Sequence, residues 1–256
     1  MGLVASAHIL DFRSISAALR WRRRLIRSRA ELPGLRWVKA AAPIGRTETA
    51  GFGAGLPEAR RQLVVAAWET RQALEDFSSG TELGAAWKRD CRHAWHVVMR
   101  PVRSRGSHHG DDPFDRAEDD SLGSQPMAAL TLGRFYWNRV PLFTRQAVGL
   151  TDEILGAPGL ITALSAGFPT TGNYTFSLWE RTEDMRQFAY AGAHLRTVNV
   201  DKRRGMLREQ LNARFVLDSV SGSWDPETTY NSERLTSLAC SLSEPGPRVR
   251  RGRHRD

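Results

Sequence analysis

The sequence predicts an α+β fold in which one β-α-β-β-α-β unit occurs twice in the same chain. Residues 173–180 alternate large apolar and smaller side chains, as a strand does, and end on Trp-Glu before a helix start. Residues 63–70 form a second apolar run that closes on Trp-Glu and leads into a helix. Upstream of each, Pro-Gly-Leu stands at 33–35 and at 158–160. These repeated features predict two copies of one folding unit.

The first unit is predicted to have the order of elements of a ferredoxin-like fold. The predicted elements are a strand at 3–12, a helix from 14 to about 32, strands at 35–42 and 63–67, a helix at 70–89 and a strand at 95–102. In the first helix, Ile15, Leu19 and Ile26 lie near one stripe, which we expect to face the core, with the arginines largely on the other side. Residues 45–60 form a glycine-rich loop that lacks the Gly-Lys-Ser/Thr of a phosphate-binding loop.

The second unit repeats this order of elements. The predictions are a strand at 128–135, a helix capped by Asn138 and ended by Pro158-Gly159, strands at 160–166 and 173–179, a helix from Glu183 and a strand at 213–220. Gly192 is expected to break the second helix, which then continues toward Leu211. The predicted domains are a first ferredoxin-like repeat at 1–103, a flexible acidic linker at 104–126, a second repeat at 127–226 and a basic disordered tail at 227–256.

A ferredoxin-like sheet carries helices on one face and leaves the other face bare. Two such sheets can bury their bare faces against each other, as pairs of chains do in dimeric α/β barrels. Because this chain contains both units, we expect a pseudodimer of that barrel type, either as a monomer or as a homodimer. Its ligand pockets are expected between sheet and helices or inside the barrel, and to be mostly apolar.

Composition limits the class of protein. The chain has 256 residues, a net charge of +9 and two cysteines, Cys91 and Cys240, which form no metal or disulfide pattern and favour a cytoplasmic location. No apolar run is long enough to cross a bilayer, and no signal peptide is evident. The positive charge is concentrated at residues 22–24 and 248–255. Such an excess of positive charge is typical of a solvated protein surface. The alternative is a surface that binds nucleic acid or an anionic membrane.

Five short motifs distinguish the second unit. They are Thr-Leu-Gly-Arg at 131–134, Pro-Gly-Leu at 158–160, Thr-Phe-Ser-Leu-Trp at 175–179, Phe-Ala-Tyr at 188–190 with His194, and Ala-Arg-Phe at 213–215 leading to Gly-Ser-Trp-Asp at 222–225. As a set, these motifs resemble the spheroidene monooxygenase family, which are carotenoid ketolases. The resemblance covers residues 127–226 in sequence and residues 3–102 in layout.

The resemblance implies a dimeric α/β-barrel fold and an oxygenase that uses molecular oxygen as co-substrate, with haem as the cofactor it suggests. It further implies a hydrophobic substrate, carotenoid-like or polycyclic, an electron donor, and membrane association through the substrate. Related barrels bind haem, degrade it, or oxidise aromatic polyketides without a metal. Fold alone therefore does not settle the chemistry.

Seven residues are candidates for the site. His194 is the first, as a haem iron ligand or proton relay beside a helix bend, with the alternative of a structural histidine. The others are Tyr190 as a second catalytic residue, Arg134 and Arg214 as partners of cofactor carboxylates, and Trp179, Phe176 and Phe188 as the substrate pocket. The alternatives are strand-end charges for the arginines and plain core packing for the aromatic residues.

Two further histidine pairs and two other functions are compatible with the sequence. His108 and His109, with acidic neighbours, suggest a metal site but lie in the predicted linker, and His93 and His96 stand three residues apart at the start of a predicted strand. A non-catalytic barrel that binds an apolar small molecule is the alternative to an oxygenase. A weaker alternative is nucleic-acid or membrane-surface binding through residues 22–24 and the tail.

Overall fold

The computed structural model describes residues 2–43, 59–115, 125–168 and 172–223, together with Arg234, Ser237, Leu238 and Leu242. The first half contains β1 (Val4–Phe12), α1 (Ile15–Ser28), β2 (Leu35–Ala41), β3 (Arg61–Trp68), α2 (Arg71–Gly80), α3 (Glu82–Asp90) and β4 (Cys91–Gly106). The second half contains β5 (Met127–Phe135), α4 (Val140–Leu155), β6 (Leu160–Phe168), β7 (Gly172–Trp179), α5 (Thr182–Ala189), α6 (Gly192–Arg204) and β8 (Leu207–Gly222). The predicted α+β class is confirmed.

All eight strands belong to one antiparallel sheet with the order β2-β3-β1-β4-β8-β5-β7-β6. Read outward from the central β4–β8 pair, both halves have the same strand order. The two outermost strands also meet, because Pro43 forms a β-bridge with Ala166 and the Gly167 N–H donates to the Ala42 carbonyl at 3.3 Å. The sheet therefore curves until its ends are in contact.

The Pro-Gly-Leu turns have the same geometry in both halves. Gly34 and Gly159 have positive φ values of 70° and 71°, which favour glycine. The Gly34 carbonyl accepts from Glu69 N–H at 2.8 Å, and the Gly159 carbonyl accepts from Glu180 N–H at the same distance. Each turn thus ties the first β-α-β segment of its half to the Trp-Glu end of the following strand.

Three cores follow from the alternation of side chains along the strands. The interior core, enclosed by the sheet, contains residues of both halves such as Ile9, Val65, Leu130 and Phe215. A first helix-side core lies between the sheet and α1–α3, and a second lies between the sheet and the helices of the second half. Apolar side chains therefore pack on both faces of the sheet.

Helix α1 is rotated relative to the prediction. Trp21 and Leu25 are buried, whereas Ile15 and Ile26 are 53% and 39% exposed, so the predicted core-facing stripe was wrong. The Trp21 indole donates to the carbonyl of Leu83 at 2.9 Å and is buried among aromatic residues of the first helix-side core. Burial of the largest apolar side chain decides which face of the helix turns inward.

Three predicted boundaries also differ from the structure. The helix predicted at 70–89 is two helices, because Thr81 caps a new one by accepting from Gly84 N–H at 3.0 Å. The continuation of the α5–α6 segment to Leu211 was wrong, because α6 ends at Arg204 and Gly205, with φ of 59°, lets the chain turn into β8. Strand β4 extends to Gly106.

The predicted linker and tail are only partly described. Ser104 lies in β4, and His108 and Phe114 are buried. In the tail, Arg234 donates to the Leu160 carbonyl at 3.0 Å and Leu238 packs in the interior core. Residues 116–124, the greater part of the glycine-rich loop and the remainder of the tail lie outside the described residues.

Candidate active site

The two halves differ on the helix-facing side of the sheet, at one pair of facing residues on the first and last strands of each half. Counting along the strands from Trp68 and Trp179, His8 in β1 corresponds to Thr131 in β5. His8 faces His96 on β4, and Thr131 faces Asn212 on β8. In the first half, α3 packs on β4 and Trp87 stacks on His96 with ring centroids 4.8 Å apart.

In the second half the corresponding floor is accessible. Asn212 is exposed, and Thr131 and Arg214 are half-buried. Helix α6, the counterpart of α3, packs against α4 and α5. The side chains on this floor are polar, since Thr131 donates to Asn212 at 3.1 Å and Arg214 lies on the same face of β8. We call this surface the second-half floor.

His194 lies at the start of α6, after the break at Gly192. Its Nδ1 lies 2.7 Å from the Ala189 carbonyl oxygen, which can only accept, so Nδ1 carries the proton and Nε2 carries the lone pair. Burial lowers the pKa of His194, although the Ala189 carbonyl and Glu153 oppose this shift. The ring is therefore neutral near pH 7, with a defined tautomer.

The predicted pocket aromatics separate into two cores. Phe188 lies between His194 and Trp179, with ring centroids 5.3 Å and 5.5 Å away, and all three lie on the helix side of the sheet. The Trp179 indole donates to the Ser177 hydroxyl at 2.9 Å. Phe176 is buried on the opposite face, in the interior core. The structure thus brings Trp179, Phe188 and His194 together and places Phe176 elsewhere.

Tyr190 and Arg134 also lie away from His194's aromatic contacts. Tyr190 is 67% exposed. Arg134 forms an ion pair with Glu209 at 2.7 Å. That bond, together with the backbone N–H groups of His109 and Gly110, lowers the pKa of Glu209 to about 2. Arg134 is therefore engaged with a carboxylate of the protein itself, whereas Arg214 is the arginine on the second-half floor.

A polar cluster beside Arg134 joins His108, one of the two histidines that suggested a metal site, to Lys39, which the sequence did not single out. Lys39 Nζ lies 3.0 Å from His108 Nε2 and 5.3 Å from the centre of the Tyr174 ring. Burial is the main cause that lowers the pKa of Lys39 to about 8, and the charge of Arg134 adds to it. Burial is also the main cause that lowers the pKa of His108 to about 4. Lys39 lies in an ordinary apolar strand pattern, so the sequence gave no indication that this lysine would meet His108.

A second missed group is a buried chain of hydrogen bonds in the first half. Trp68 donates to Ser6 Oγ at 2.9 Å, Ser6 Oγ lies 2.8 Å from His8 Nε2, and His8 Nδ1 lies 2.9 Å from His96 Nδ1. Because the indole can only donate, the Ser6 hydroxyl is free to donate to His8, which then donates to His96. Burial lowers the pKa of His8 well below its usual value and that of His96 to about 4. Of the predicted His93 and His96, only His96 belongs to this chain.

The second half contains an imidazole and an arginine, which are residue types that hold a haem in other proteins. A haem takes one protein imidazole as an axial ligand and carries two propionates, which arginine can pair. His194 has its Nδ1 proton held by a carbonyl, the second-sphere arrangement that metal-bound histidines have, and Arg214 lies on the helix side of β8, two residues before Val216. Within the described residues, no three His, Cys, Asp or Glu side chains are grouped so that they could hold a metal ion. No described helix is long and apolar enough to cross a membrane.

Comparisons with known proteins place the chain in a family. No family model matches it. It is 30% identical to the spheroidene monooxygenase of Rubrivivax gelatinosus over 193 residues, which cover 75% of this chain and 72% of that protein. It is 26% identical to the spheroidene monooxygenase of Rhodobacter capsulatus over 203 residues, which cover 73% and 81%.

Among solved structures, an aldoxime dehydratase in complex with butyraldoxime covers 90% of this chain at 11% identity with a TM-score of 0.58, a likeness of fold alone. The relatives carry the family assignment, because one of them reaches 30% identity over most of both proteins. The chain, with its neutral His194 beside Phe188 and a polar second-half floor, belongs to the spheroidene monooxygenase family and is an oxygenase.

Proposed function

We propose that the chain is a monooxygenase that oxidises a long or flat apolar substrate of the carotenoid class, with its chemistry on the helix side of the second half. The names of the two relatives support the substrate class, since both are spheroidene monooxygenases. One atom of dioxygen enters the substrate and the other leaves as water, so an external two-electron donor is required.

The proposal includes the architecture. The two halves act as tandem ferredoxin-like repeats, at 1–103 and 127–226, that form a pseudodimeric α/β barrel within one chain. This is supported by the identical strand order of the halves, the contact between Pro43 and Ala166 at the ends of the sheet, and the matching turns at Gly34 and Gly159. The interior core is filled by side chains of both repeats, which favours the helix side of the sheet for the ligand.

His194 carries the proposal. Its neutral ring leaves the Nε2 lone pair for a ligand, because Nδ1 donates to the Ala189 carbonyl, and its ring centre lies 5.3 Å from that of Phe188. His194 would hold the iron of a haem, and Arg214 would pair with a propionate. The haem, when bound, supplies the activation of dioxygen. Arg134 and Phe176 then have structural roles, in an ion pair and in the interior core, and Tyr190 contacts solvent.

The protein's own residues would bind and orient the substrate. Phe188, which packs on the fully buried Trp179, forms an apolar wall that would lie against an extended polyene and exclude water. The Ser177 hydroxyl holds the Trp179 indole in place, so the wall is rigid before the substrate arrives. Thr131 and Asn212 on the floor offer hydrogen-bond groups that orient a polar end of the ligand.

The test is the visible absorption spectrum of the purified protein during titration with haemin. Wild-type protein is expected to develop a saturable Soret band, and His194→Ala to lose it or shift it. His93→Ala, which removes an imidazole from β4, is the matched control and should bind as the wild type does. If His194→Ala and wild type titrate identically, His194 is not the ligand.

Oxygen consumption separates an oxygenase from a carrier. The protein, a reductant and an apolar polyene are expected to consume dioxygen in proportion to oxidised substrate. A protein that only carries its ligand would bind the polyene with no uptake of oxygen, and this result would overturn the proposed chemistry. Phe188→Ala is expected to raise KM more than it lowers kcat, because the aromatic wall binds substrate without touching the oxidant.

A further inference from the structure

Helix α1 has a surface composition that the proposed oxygenase chemistry does not use. The helix contains five arginines and no acidic residue in fourteen positions. Its inward face is set by Trp21, whose indole donates to the Leu83 carbonyl at 2.9 Å, and by Leu25. The rotation of α1 is therefore fixed, and its remaining faces point to solvent.

Four arginines form one exposed stripe. They are spaced at i, i+3, i+4 and i+7, which brings them together on the helix surface. This stripe consists of Arg20, Arg23, Arg24 and Arg27. The same four side chains line an open groove of about 420 Å³, in which Glu31 is the one carboxylate. The groove therefore concentrates positive charge in a form that suits several anionic groups at once.

Two exposed isoleucines adjoin the stripe. At about 100° per residue, Ile15 and Ile26 lie within roughly 20° of each other on the helix and Ile26 lies about 60° from Arg23. Their exposure is 53% and 39%, while Leu19 beside them is half-buried. An exposed apolar flank next to a basic stripe is the composition of a helix that lies in the plane of a membrane interface.

We propose that α1 docks this protein on a bilayer surface rich in anionic lipid headgroups, with the arginine stripe on the phosphates and Ile15 and Ile26 at the boundary of the acyl chains. Charge complementarity selects a polyanionic partner. The isoleucines distinguish a lipid surface from nucleic acid, because they gain by leaving water only where the partner offers hydrocarbon. This surface belongs to the first half and goes beyond the oxygenase proposal, which concerns the second.

The experiment is sedimentation of the full-length protein with vesicles of phosphatidylcholine alone or with added phosphatidylglycerol. Binding is expected only to the anionic vesicles and should weaken as salt is raised. Arg23→Gln with Arg27→Gln should reduce partitioning by more than tenfold, at roughly fivefold for each charge. Arg203→Gln with Arg204→Gln, an equal loss of charge at the exposed end of α6, is the matched control and should retain most binding.

Ile15→Ser with Ile26→Ser separates lipid from other polyanions. We expect this variant to lose roughly tenfold in vesicle partitioning, because two apolar side chains no longer leave water. All four substituted α1 positions are exposed, and an unchanged melting curve confirms that the fold is retained. Equal losses in the α1 and α6 arginine variants, or unchanged vesicle binding in the serine variant, would overturn the proposal. Tighter binding to single-stranded RNA than to vesicles would assign the stripe to nucleic acid.

Discussion

The buried His8–His96 pair makes stability depend on pH in the acid range. The folded protein holds His96 neutral because burial lowers its pKa from 6.5 to about 4. An unfolded chain takes up this proton near pH 6.5, whereas the folded chain takes it up only near pH 4. The unfolded state therefore binds more protons across this window, and the free energy of unfolding falls as pH falls from about 6.5 toward 4.

The magnitude follows from the shift. A difference of about 2.5 pKa units corresponds to about 3 kcal/mol when fully developed, and roughly 2 kcal/mol of it is lost between about pH 8 and pH 5. The substitution His96→Asn copies Asn212, the residue at the corresponding position of the second half. It removes this titration, so the variant should lose about 2 kcal/mol less than wild type over the same interval.

Urea unfolding at about pH 8 and at about pH 5 measures how far the free energy of unfolding falls in wild type and in His96→Asn, with the m-value as a check that it is unchanged. We compare the fall in unfolding free energy between the two pH values and not its absolute size. His96→Asn also changes packing against Trp87 and therefore lowers stability at every pH. His93→Asn, which leaves the buried pair intact, should keep most of the wild-type fall. An equal fall in wild type and His96→Asn would refute the argument that His96 is held neutral by the fold.

Two further predictions concern the first half. The chain has three lysines, and the pKa of Lys39 should be about 8 because this side chain is buried. ¹³C NMR of the reductively methylated protein measures this pKa, with the signal assigned through Lys39→Arg. A pKa near 10.5 would show that Lys39 is not desolvated. Gly34→Ala should cost about 2–4 kcal/mol in urea unfolding, because φ is 70° and the new methyl would lie 2.5 Å from the Ala73 Cβ. Gly205→Ala is the control, since its φ is also positive but its Cβ would meet open space, and about 1 kcal/mol is expected; equal costs would contradict the contact with Ala73.

Much of the fold could be predicted from the pattern of adjacent residues. The alternation at 173–180 and the Pro-Gly-Leu turns predicted strands and boundaries correctly, because side-chain period and the positive φ of glycine are properties of a few adjacent residues. The break at Gly192 was also predicted. Family membership followed from motifs in the second half, and identity of 30% to a spheroidene monooxygenase confirms it.

Local pattern failed where both faces of an element are apolar. The sequence predicts Phe176 and Trp179 in one pocket, but strand β7 is buried on both faces and its side chains enter two different cores. Helix α1 likewise has two adjacent apolar stripes, and the sequence alone favoured the one containing Ile15. In each case the choice of face depends on which large side chain finds a complementary core.

The sequence by itself determined the strands, their order along the chain and the family, because these depend on residues that are neighbours along the chain. Only the tertiary structure decided which candidate residues meet. Arg134 pairs with Glu209, 75 residues away, and His8 pairs with His96, 88 residues away. Such contacts arise from the register of the central strands, which is set by packing across both halves, and no local pattern encodes a register between distant strands.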